Sequence, residues 1–457
     1  MHAGSTAAAE APNAPSDTTV VAGLRSMLTE MSAADTFSGA ALLAKRDDLL
    51  FEGAYGYADH SMFVKNTIDT KFNIGSMGKM FTGVAILQLA QAGKLSLNDH
   101  LIKDLPNYPN RQIASAITIR QLLTHTSGLS DFFGPQFVAS NMSRWNSLES
   151  LLPLFVKAPL LFAPGTKWQY SNAGFIVLGL VIAHLSGETY YDYVQRHIFD
   201  VAGMRDTGNW AADEDIPNRA VGYTTMGVDN GQRKSNIFFL QRGGSAGGGY
   251  STVRDLLRFA QALEGQKLLN SYYTKLDLTG QVATGRPGVK YGFGMEERVV
   301  NGVRIVGHSG GGPGIQDIVD MYPDSGYVVC ILTNLDYAMS RVDDYLRMAL
   351  TGERAPQTIA LSFDAGTAVV GKYAPVLPPN VGMKPPPIIV TIEGNGVRVD
   401  PGIGPAFHFV PVSVTEFVDA EDSSHHITFL KDANRHVTSL KTTGFGPVPP
   451  ITATKQP

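Results

Sequence analysis

The spacing of hydrophobic residues predicts a helix and then a hairpin near the start of the chain. Between Val20 and Met31, apolar side chains recur at intervals of three and four residues, so residues 18 to 32 are predicted to be an amphipathic helix. Two stretches that favour β-structure follow at 39–45 and 49–57, separated by a short polar turn. The chain is therefore expected to open with a helix and an antiparallel pair of strands.

A second group of predicted strands lies towards the end of the same region. Residues 303–306, 315–322 and 327–333 are rich in apolar side chains, and a Pro-Asp-Ser-Gly turn joins the last two. Because strands come from both ends with helical sequence between them, we predict one antiparallel sheet flanked by helices, an α/β (α+β) fold. Residues 95 to 240 are predicted to form a helical subdomain whose long loops cover the site.

Two segments are apolar on almost every side, which is the pattern of a buried helix. They are Met80–Leu89 and Phe175–Ile182. Each follows a short polar sequence, Ser76–Lys79 in one case and Tyr170–Asn172 in the other. The polar sequences are therefore predicted to lie at the ends of core helices.

The composition and hydrophobic pattern of the sequence change after about residue 355. Proline-rich stretches alternate with short β-type segments at 388–392, 397–399, 407–410, 427–430 and 437–440. This pattern predicts a C-terminal all-β, barrel-like domain. The predicted organisation is a flexible tail at 1–17, a main domain at 18–355 and the β domain at 356–457.

Ser76 and Lys79 are the first candidate catalytic residues. Three positions apart on a helix, they share one face, and their side chains can meet. A serine hydroxyl is a poor nucleophile until a neighbour takes its proton, and a lysine can do so only if burial or nearby positive charge lowers its pKa. A Ser-x-x-Lys tetrapeptide alone is a common chance match, so the prediction depends on what accompanies it.

Tyr170 and Asn172 form the second candidate pair. In an extended or turn conformation, side chains two residues apart point the same way, so the phenol and the amide could enter one cavity as proton carrier and substrate anchor. The alternative is an ordinary loop tyrosine followed by an asparagine that caps the next helix.

A glycine-rich stretch, Gly307–Gly314, follows the strand predicted at 303–306. Glycines beside a strand edge let another backbone approach closely, which suits a substrate lying along the edge and a backbone N–H aimed at its carbonyl. His308 would stand beside that donor. A phosphate-binding loop fits less well because the lysine and hydroxyl residue that close such a loop are missing, and a plain glycine-rich hairpin stays open.

Together and in this order, the three elements resemble the active-site motifs of the serine beta-lactamase and penicillin-binding protein superfamily. The match is closest to its class C-like branch, which includes esterases, D-amino-acid peptidases and D-alanyl-D-alanine carboxypeptidases. Residues 70–75, 122–129, 164–166 and 243–252 add to the resemblance, which covers roughly residues 18 to 350. The C-terminal domain is similar to the small lipocalin-like barrel appended to some members.

The resemblance implies a serine hydrolase that works through an acyl-enzyme and needs no cofactor or metal. Ser76 would be the acylated nucleophile, and Lys79 and Tyr170 would share the proton transfer, with the choice of base left open. Asn172 would help to hold the Lys79 amine and contact the substrate. The other implied site residues are His308 and Gly310 for substrate binding, and the backbone N–H groups of Ser76 and Gly311 for the oxyanion hole.

His308 departs from the pattern of many relatives, which have lysine at this position. A permanent charge there helps to bind the carboxylate of penicillins and of terminal D-alanine, whereas histidine is mostly neutral at pH 7. Carboxylate recognition is expected to be weaker or pH-dependent, which favours a carboxylesterase for small, short-chain esters. The alternatives are a D-amino-acid peptidase or D-Ala-D-Ala carboxypeptidase, a weak beta-lactamase and, from another class, a penicillin-binding sensor or scaffold without turnover.

Composition narrows the range of partners. The formal net charge is −4 over 457 residues and no long basic run occurs, so nucleic acid and anionic membranes are not expected partners. No stretch is long and apolar enough to span a membrane independently of the core helices. The expected partner is a small ester or amide substrate, and a homo-oligomer stays open. Cys330, the single cysteine, lies in an apolar strand and is predicted to be a core thiol.

The N-terminal tail bears on location. Residues 1–17 are rich in alanine, proline and polar side chains, with no apolar signal core. Such a tail often follows a removed export signal, so a periplasmic or secreted enzyme is expected, with the cytoplasm as the alternative.

Two further features are predicted to be architectural. His125 lies in a predicted turn and is expected to fix this loop through backbone hydrogen bonds. The glycine run at 243–249 lacks the lysine of a phosphate-binding loop, so it is interpreted as a flexible loop near the cleft.

Overall fold

The computed structural model contains two compact units. It describes residues 15–138, 140, 144–211, 214–226, 228, 232–237, 242–376, 386–402, 406–420, 423, 425–443 and 451–456. The first unit extends to Tyr223 and resumes at Ser235–Gly352, and the second comprises Thr224–Lys234 and the residues from Glu353 onward. The predicted tail lies outside the described residues up to residue 14, and its end belongs to the first helix, since Ser16 caps that helix and Asp17 begins it.

The helices range from single turns to five turns. In chain order the α-helices are α1 Asp17–Ala33, α2 Gly78–Gln91, α3 Leu101–Asp104, α4 Arg111–Ala116, α5 Ile119–Leu123, α6 Pro135–Val138, α7 Leu148–Leu151, α8 Asn172–Ser186, α9 Tyr190–Val194, α10 Asp200–Ala202, α11 Val253–Glu264, α12 Ser271–Asp277, α13 Ser340–Thr351 and α14 Phe363–Val369. A 3-10 turn, Gly75–Met77, leads directly into α2.

The strands fall into a long series before residue 352 and a second series after it. The first series is β1 Gly39–Lys45, β2 Asp48–Tyr55, β3 Tyr57–Asp59, β4 Val64–Lys65, β5 Phe72–Asn73, β6 Tyr223–Thr224, β7 Lys234–Ser235, β8 Tyr250–Ser251, β9 Val282–Ala283, β10 Val289–Tyr291, β11 Glu296–Val300, β12 Val303–Gly312, β13 Ile315–Tyr322 and β14 Tyr327–Thr333. The second is β15 Gly371–Val376, β16 Ile388–Glu393, β17 Gly396–Asp400, β18 Phe407–Pro411, β19 Glu416–Asp419, β20 His426–Lys431, β21 Val437–Thr443 and β22 Thr452–Lys455.

An eight-stranded antiparallel sheet forms the centre of the first unit. Its strand order is β2-β1-β14-β13-β12-β11-β10-β9. β1 pairs with β14 along its whole length, with Gly39 opposite Thr333 and Lys45 opposite Tyr327. Strands from both ends of the unit therefore meet in one sheet, and the predicted fold class is confirmed.

The two faces of this sheet bury different helices because successive strand residues point to opposite sides. On β1, Ala40 and Leu42 belong to the core that contains α2, α8 and α11. Ala41 and Leu43, which alternate with them, belong to the core formed with α1 and α13. Cys330 of β14 is fully buried in the first of these cores, as predicted.

Both predicted core helices are present and deeply buried. In α2, the side chains from Gly78 to Ala90 are buried except that of Gln88. In α8, Ser171 rather than Asn172 is the N-cap, and Gly187, with a φ of +76°, ends the helix. Among the described residues, no single helix is long and apolar enough to cross a membrane, and α8 reaches that length only together with residues 190–202 across an 80° bend.

The helical subdomain is shorter than predicted. Helices α3 to α10 all lie within residues 101–202. Between residues 203 and 236, the only helices or strands that the described residues form are the short strands β6 and β7. The prediction of helical structure is therefore wrong for these described residues, and residues 238–240 lie outside the described part of the chain.

The second unit contains a closed barrel in which β15 to β22 pair in sequence and β22 returns to β15. Its core consists of apolar side chains such as Tyr373, Phe409, Phe417 and Phe429. Five of the strands correspond to predicted segments. The sequence pattern missed β15, β19 and β22, which are short or lack a clear alternation of apolar and polar residues.

Candidate active site

Ser76 lies in the 3-10 turn before α2. Gly75 has a φ of +47°, a conformation that favours glycine, and its carbonyl accepts a hydrogen bond from Gly248 N at 2.8 Å. Ser76 is partly exposed, whereas Lys79, one turn later, is fully buried. Lys79 Nζ lies 3.1 Å from Ser76 Oγ, so the two side chains meet as the helical spacing predicts.

Three oxygen atoms surround the Lys79 amine. Besides Ser76 Oγ, Nζ contacts Asn172 Oδ1 at 2.8 Å and the carbonyl oxygen of Ala246. An amide oxygen and a carbonyl oxygen only accept hydrogen bonds, so a neutral amine directs its two N–H groups at them. Its lone pair then faces the hydroxyl of Ser76, which is the arrangement that a base requires.

Burial also favours the neutral amine. It lowers the pKa of Lys79 to about 7, and the charge of Asp131 opposes this shift. The amine lies 4.8 Å from the ring centroid of Tyr170 and 5.6 Å from that of Phe175, and these ring faces stabilise the ammonium form once a proton has been taken up. Lys79 can therefore exchange a proton near neutral pH.

Tyr170 lies on the segment before α8 with its ring beside the Lys79 amine. Burial raises the pKa of Tyr170 far above the ordinary value, and the Ser76 side chain opposes this shift. The phenol is therefore protonated at neutral pH. Its oxygen is buried and makes no hydrogen bond of ordinary geometry with the described residues, so it is available to a substrate atom.

Asn172 is held from the other side by Asp131. The backbone N and the Nδ2 atom of Asn172 both donate to Asp131 Oδ2, each at 2.9 Å. Because a carboxylate only accepts hydrogen bonds, Nδ2 faces Asp131 and Oδ1 faces Lys79. Asn172 is thus the first residue of α8 and a direct contact of the amine.

His125 supports the segment that carries Tyr170. Its Nδ1 atom accepts a hydrogen bond from Ser171 N at 3.1 Å, and its ring centroid lies 4.2 Å from that of Tyr170. Burial lowers the pKa of His125 well below its ordinary value, and the charge of Lys79 adds to this effect. The prediction that His125 fixes this region through backbone hydrogen bonds is confirmed.

The glycine-rich stretch belongs to a strand as far as Gly312. β12 continues to Gly312 in register with β13, so the prediction that the strand ends at residue 306 is wrong. On its other side, β11 pairs with β12 only as far as Gly307. Among the described strands, none pairs with residues 308–312 on the side of β12 that faces β11. These residues therefore leave an edge along which an extended substrate can lie.

This edge lies directly against residues 74–76, which carry the nucleophile and are called the nucleophile segment. A Cβ atom on Gly310 would come within 2.2 Å of Ile74 O, and one on Gly75 within 2.8 Å of Gly311 N. Packing therefore requires glycine at position 310. The expected contact of Gly310 with the substrate stays a prediction. The Gly311 N atom lies beside the residue that precedes Ser76, where the predicted oxyanion hole needs a donor.

His308 is a buried, neutral imidazole. Its Nδ1 lies 2.6 Å from Ser309 O and its Nε2 lies 3.0 Å from Tyr291 Oη. The carbonyl can only accept, which assigns the proton to Nδ1 and leaves Nε2 to accept from Tyr291. Burial, together with a smaller contribution from the Lys79 charge, lowers the pKa of His308 to about 3. Of the two expectations, weaker or pH-dependent carboxylate recognition, a ring that is neutral between pH 5 and 8 favours the first, and carboxylate recognition itself stays a prediction.

The glycine run at 243–249 is packed rather than loose. Ala246 O contacts the Lys79 amine, and Gly244 and Gly247 exchange backbone hydrogen bonds. A Cβ atom on Gly247 would come within 2.7 Å of Gly75 O. The interpretation of this run as a flexible loop is therefore wrong. The run packs tightly against the nucleophile segment.

Three contacts of the site escaped sequence reasoning. Asp131 lies two residues after the stretch 122–129 that carries part of the family resemblance, and its acidic side chain next to a turn was the available signal. The Ala246 carbonyl is a backbone atom, so no residue type marks it. Tyr291 contacts His308 because β11 pairs with both β10 and β12, and the sequence analysis did not predict β10 or β11.

A metal centre finds no support within the residues that the structure describes. No three histidine, cysteine, aspartate or glutamate side chains come together there as ligands of one ion. The candidate site is instead a hydroxyl, an amine, a phenol and an amide in contact beside a strand edge.

The chain is similar to several known proteins in sequence and fold. The chain is 34% identical to a penicillin binding protein from Bacillus halodurans, with a TM-score of 0.63 over 73% of this chain and 98% of that one. It is 26% identical to a D-stereospecific amidohydrolase from Streptomyces sp., with a TM-score of 0.62 over 74% of this chain and 100% of that one.

A third solved structure resembles nearly the whole chain. The octameric penicillin-binding protein homologue from Pyrococcus abyssi is 21% identical, with a TM-score of 0.67 over 95% of this chain and 100% of that one. At this identity the likeness concerns the fold alone, and it extends beyond the first unit. Residues 24–353, well over half of the chain, match the protein family Beta-lactamase. The protein therefore belongs to the Beta-lactamase family and is a serine hydrolase of the beta-lactamase and penicillin-binding protein type.

Proposed function

We propose that this protein is a carboxylesterase that hydrolyses small, short-chain esters through an acyl-enzyme on Ser76. The observation that carries the proposal is the state of His308. Its ring is neutral, and both nitrogens are occupied by Ser309 and Tyr291, so it offers no charge to a carboxylate near the scissile bond. A simple ester needs no such charge, whereas penicillins and D-alanyl termini carry a carboxylate.

Acylation follows from the contacts of the amine. Ser76 Oγ attacks the ester carbonyl carbon while its proton passes to Lys79 Nζ, 3.1 Å away. The backbone N–H groups of Ser76 and Gly311 would hold the oxyanion, and one such donor typically contributes about 100-fold to 1,000-fold in rate. The C–O bond to the alcohol then breaks, the Tyr170 hydroxyl gives its proton to the departing oxygen, and the Lys79 ammonium reprotonates Tyr170.

Deacylation uses the same groups with water as the nucleophile. The neutral Lys79 amine takes a proton from water, and the hydroxide that forms attacks the acyl carbon. The bond to Ser76 Oγ breaks, and Lys79 returns a proton to that oxygen. One water molecule is consumed, and one acid and one alcohol are released over the cycle.

Hydrolysis of D-amino-acid amides is the second candidate. It is favoured by the 26% identity to a D-stereospecific amidohydrolase over the whole length of that enzyme. Such amides also lack a free carboxylate at the scissile end. An amine leaving group needs a proton, and the Tyr170 phenol, whose pKa burial raises, keeps one to give.

A substrate panel separates these functions. Initial rates are measured with p-nitrophenyl butyrate, D- and L-alanine amide, a D-alanyl-D-alanine peptide and nitrocefin, with Ser76→Ala as the control. The proposal predicts ester turnover that exceeds all other rates and disappears in Ser76→Ala. Brisk D-amide cleavage without ester turnover would establish the second candidate, and a stable penicillin adduct by intact mass without any turnover would establish a sensor or scaffold.

A further inference from the structure

We propose that Asp131 is a positioning residue, which acts through Asn172 to orient the Lys79 amine for proton transfer with Ser76. The inference rests on the proposed function in one respect, namely that Lys79 accepts the proton of the nucleophile. Asp131 itself touches neither Ser76 nor the amine in the contacts described above. Its effect is therefore transmitted by the side chain between them.

The contacts form a chain from carboxylate to nucleophile. Asp131 Oδ2 accepts from Asn172 N and Nδ2 at 2.9 Å each, Asn172 Oδ1 accepts from Lys79 Nζ at 2.8 Å, and Nζ lies 3.1 Å from Ser76 Oγ. Two donors converge on one carboxylate oxygen, and one of them is the backbone N–H at the first residue of α8. The orientation of the Asn172 side chain is thus fixed relative to the helix itself.

The orientation of that amide decides whether the amine can act as a base. With Oδ1 towards Lys79, the amide accepts one N–H group, and the lone pair stays directed at Ser76. With the amide turned over, Nδ2 would point at the amine and compete with the Ser76 hydroxyl for the lone pair. Only a group that accepts and never donates, such as a carboxylate, excludes the second orientation.

The charge of Asp131 has a separate effect on the same amine. It raises the pKa of Lys79 and opposes the effect of burial. Once Lys79 has taken the Ser76 proton, the nearby carboxylate stabilises the ammonium ion that results. Removal of the charge should therefore shift the pH at which the amine becomes a base to a lower value.

The loop around Asp131 has other attachments, so the side chain can be changed without loss of the fold. Ser171 Oγ donates to Ser130 O at 3.2 Å, Ser171 N donates to His125 Nδ1, and Gln169 N donates to His125 O at 2.9 Å. These bonds join the segment 125–130 to the segment 169–171 independently of Asp131.

The experiment measures the rate constant for covalent labelling of Ser76 by a fluorophosphonate between pH 5 and 9. Labelling needs the nucleophile and its base but no natural substrate, so it does not depend on the ester assignment. The proteins are the wild type, Asp131→Asn, Asp131→Ala and the control Asp59→Asn. Asp59 is a suitable control because its carboxylate likewise accepts the backbone N–H groups of its own loop, from Ser61 and Met62. Thermal unfolding is recorded for each protein.

The two variants of Asp131 have different expected results. Asp131→Asn keeps the shape and loses the charge, so the midpoint of the acid limb should move down by roughly 0.5 to 1 pH unit. Because the new amide can also donate, labelling at the optimum should fall as well, but by less than in Asp131→Ala. Asp131→Ala also loses the acceptor, so labelling at the optimum should fall by about 10-fold to 100-fold. Asp59→Asn should stay within about twofold of the wild type in both quantities, since single charges far from the chemistry have small effects.

Two results would overturn the inference while the proposed function stands. One is that the wild type is labelled and that both Asp131 variants keep its rate constant and its pH midpoint. The other is a slower rate with an unmoved midpoint and a lower unfolding temperature, which describes a structural role only. A wild-type enzyme that is not labelled at all would instead remove the proposed function, and the inference with it.

Discussion

At the scale of single residues, the environment of Lys79 determines the chemistry. The amine is fully buried, touches two oxygens that can only accept hydrogen bonds, and has a pKa lowered to about 7 by burial. Tyr170, beside it, has its pKa raised by burial. Lys79 therefore has the properties of a base, and Tyr170 those of an acid, although sequence reasoning alone left the choice between them open.

The activity should rise with pH as Lys79 loses its proton. We expect kcat/KM for an ester to increase tenfold per pH unit below about pH 7 and to level off above it, because only the neutral amine accepts the Ser76 proton. Initial rates between pH 5 and 9 measure this. Lys79→Met should lower kcat/KM by about 100-fold or more. A profile with no inflection near pH 7 would contradict the role of Lys79.

Lys79 should also leave a signature in stability. Its pKa is about 7 in the folded chain and 10.5 ordinarily, so between these values the unfolded chain binds more protons. Its contribution to the free energy of unfolding therefore rises with pH across this window, by about 1.4 kcal/mol per unit. Denaturant titrations of wild type and Lys79→Met from pH 7 to 9.5 measure the difference. Equal slopes in the two proteins would show that the folded amine stays charged.

Tyr170→Phe tests the proposed proton donor. An alkoxide needs a proton to leave whereas p-nitrophenolate does not. The variant should therefore lose about 100-fold in kcat/KM on an ethyl ester and only about 10-fold on the p-nitrophenyl ester of the same acid. Tyr272→Phe, which changes an exposed phenol, is the matched control. Equal losses on the two esters would exclude Tyr170 as the acid for the leaving group.

Part of the site could be predicted from the sequence because the spacing of residues within a helix determines which side chains share a face. The pairing of Ser76 with Lys79 follows from their separation alone. The contacts of Asp131 and of the Ala246 carbonyl could not be predicted, since they join segments that are brought together only by folding. The state of His308 depends in the same way on Tyr291, which lies on another strand.

At the scale of elements, the site is an edge of β12 pressed against the start of α2. The sequence indicated a strand and a run of glycines but placed the boundary between them at residue 306. The strand continues because pairing with β13 supplies backbone partners as far as Gly312, and glycine allows this extended conformation without requiring a turn. The periodicity of apolar side chains cannot reveal a strand in which four of the six residues from 307 to 312 are glycine.

Gly310→Ala tests this close approach. The new Cβ atom would lie 2.2 Å from Ile74 O, so the strand and the nucleophile segment must move apart. We expect kcat/KM to fall by about 100-fold and the free energy of unfolding by about 1–3 kcal/mol. Gly134→Ala, where nothing lies within 4 Å of the new atom, is the control for a glycine replacement. Rates and unfolding are measured on both. Wild-type kinetics in Gly310→Ala would contradict the proposed geometry.

At the scale of the whole molecule, all the candidate site residues belong to one unit. Ser76, Lys79, Tyr170, Asn172 and His308 lie within its two segments, and the closed barrel belongs to the other unit. The barrel was predicted from its short alternating strands and from the family resemblance, whereas the pairing that closes it joins β15 and β22, two strands that the sequence pattern missed. The periplasmic or secreted location and self-association stay predictions.

The central claim is that Ser76 forms an ester with the acyl group of the substrate. The most direct test is rapid quenching of the enzyme during turnover of p-nitrophenyl butyrate, followed by mass spectrometry of the intact chain and its peptides. Because p-nitrophenolate leaves readily, acylation should be faster than deacylation, and the acyl-enzyme should accumulate. The account predicts a mass increase of one butyryl group on the peptide that contains Ser76, absent in Ser76→Ala. An unmodified chain during steady turnover, or an acyl group on a different residue, would contradict it.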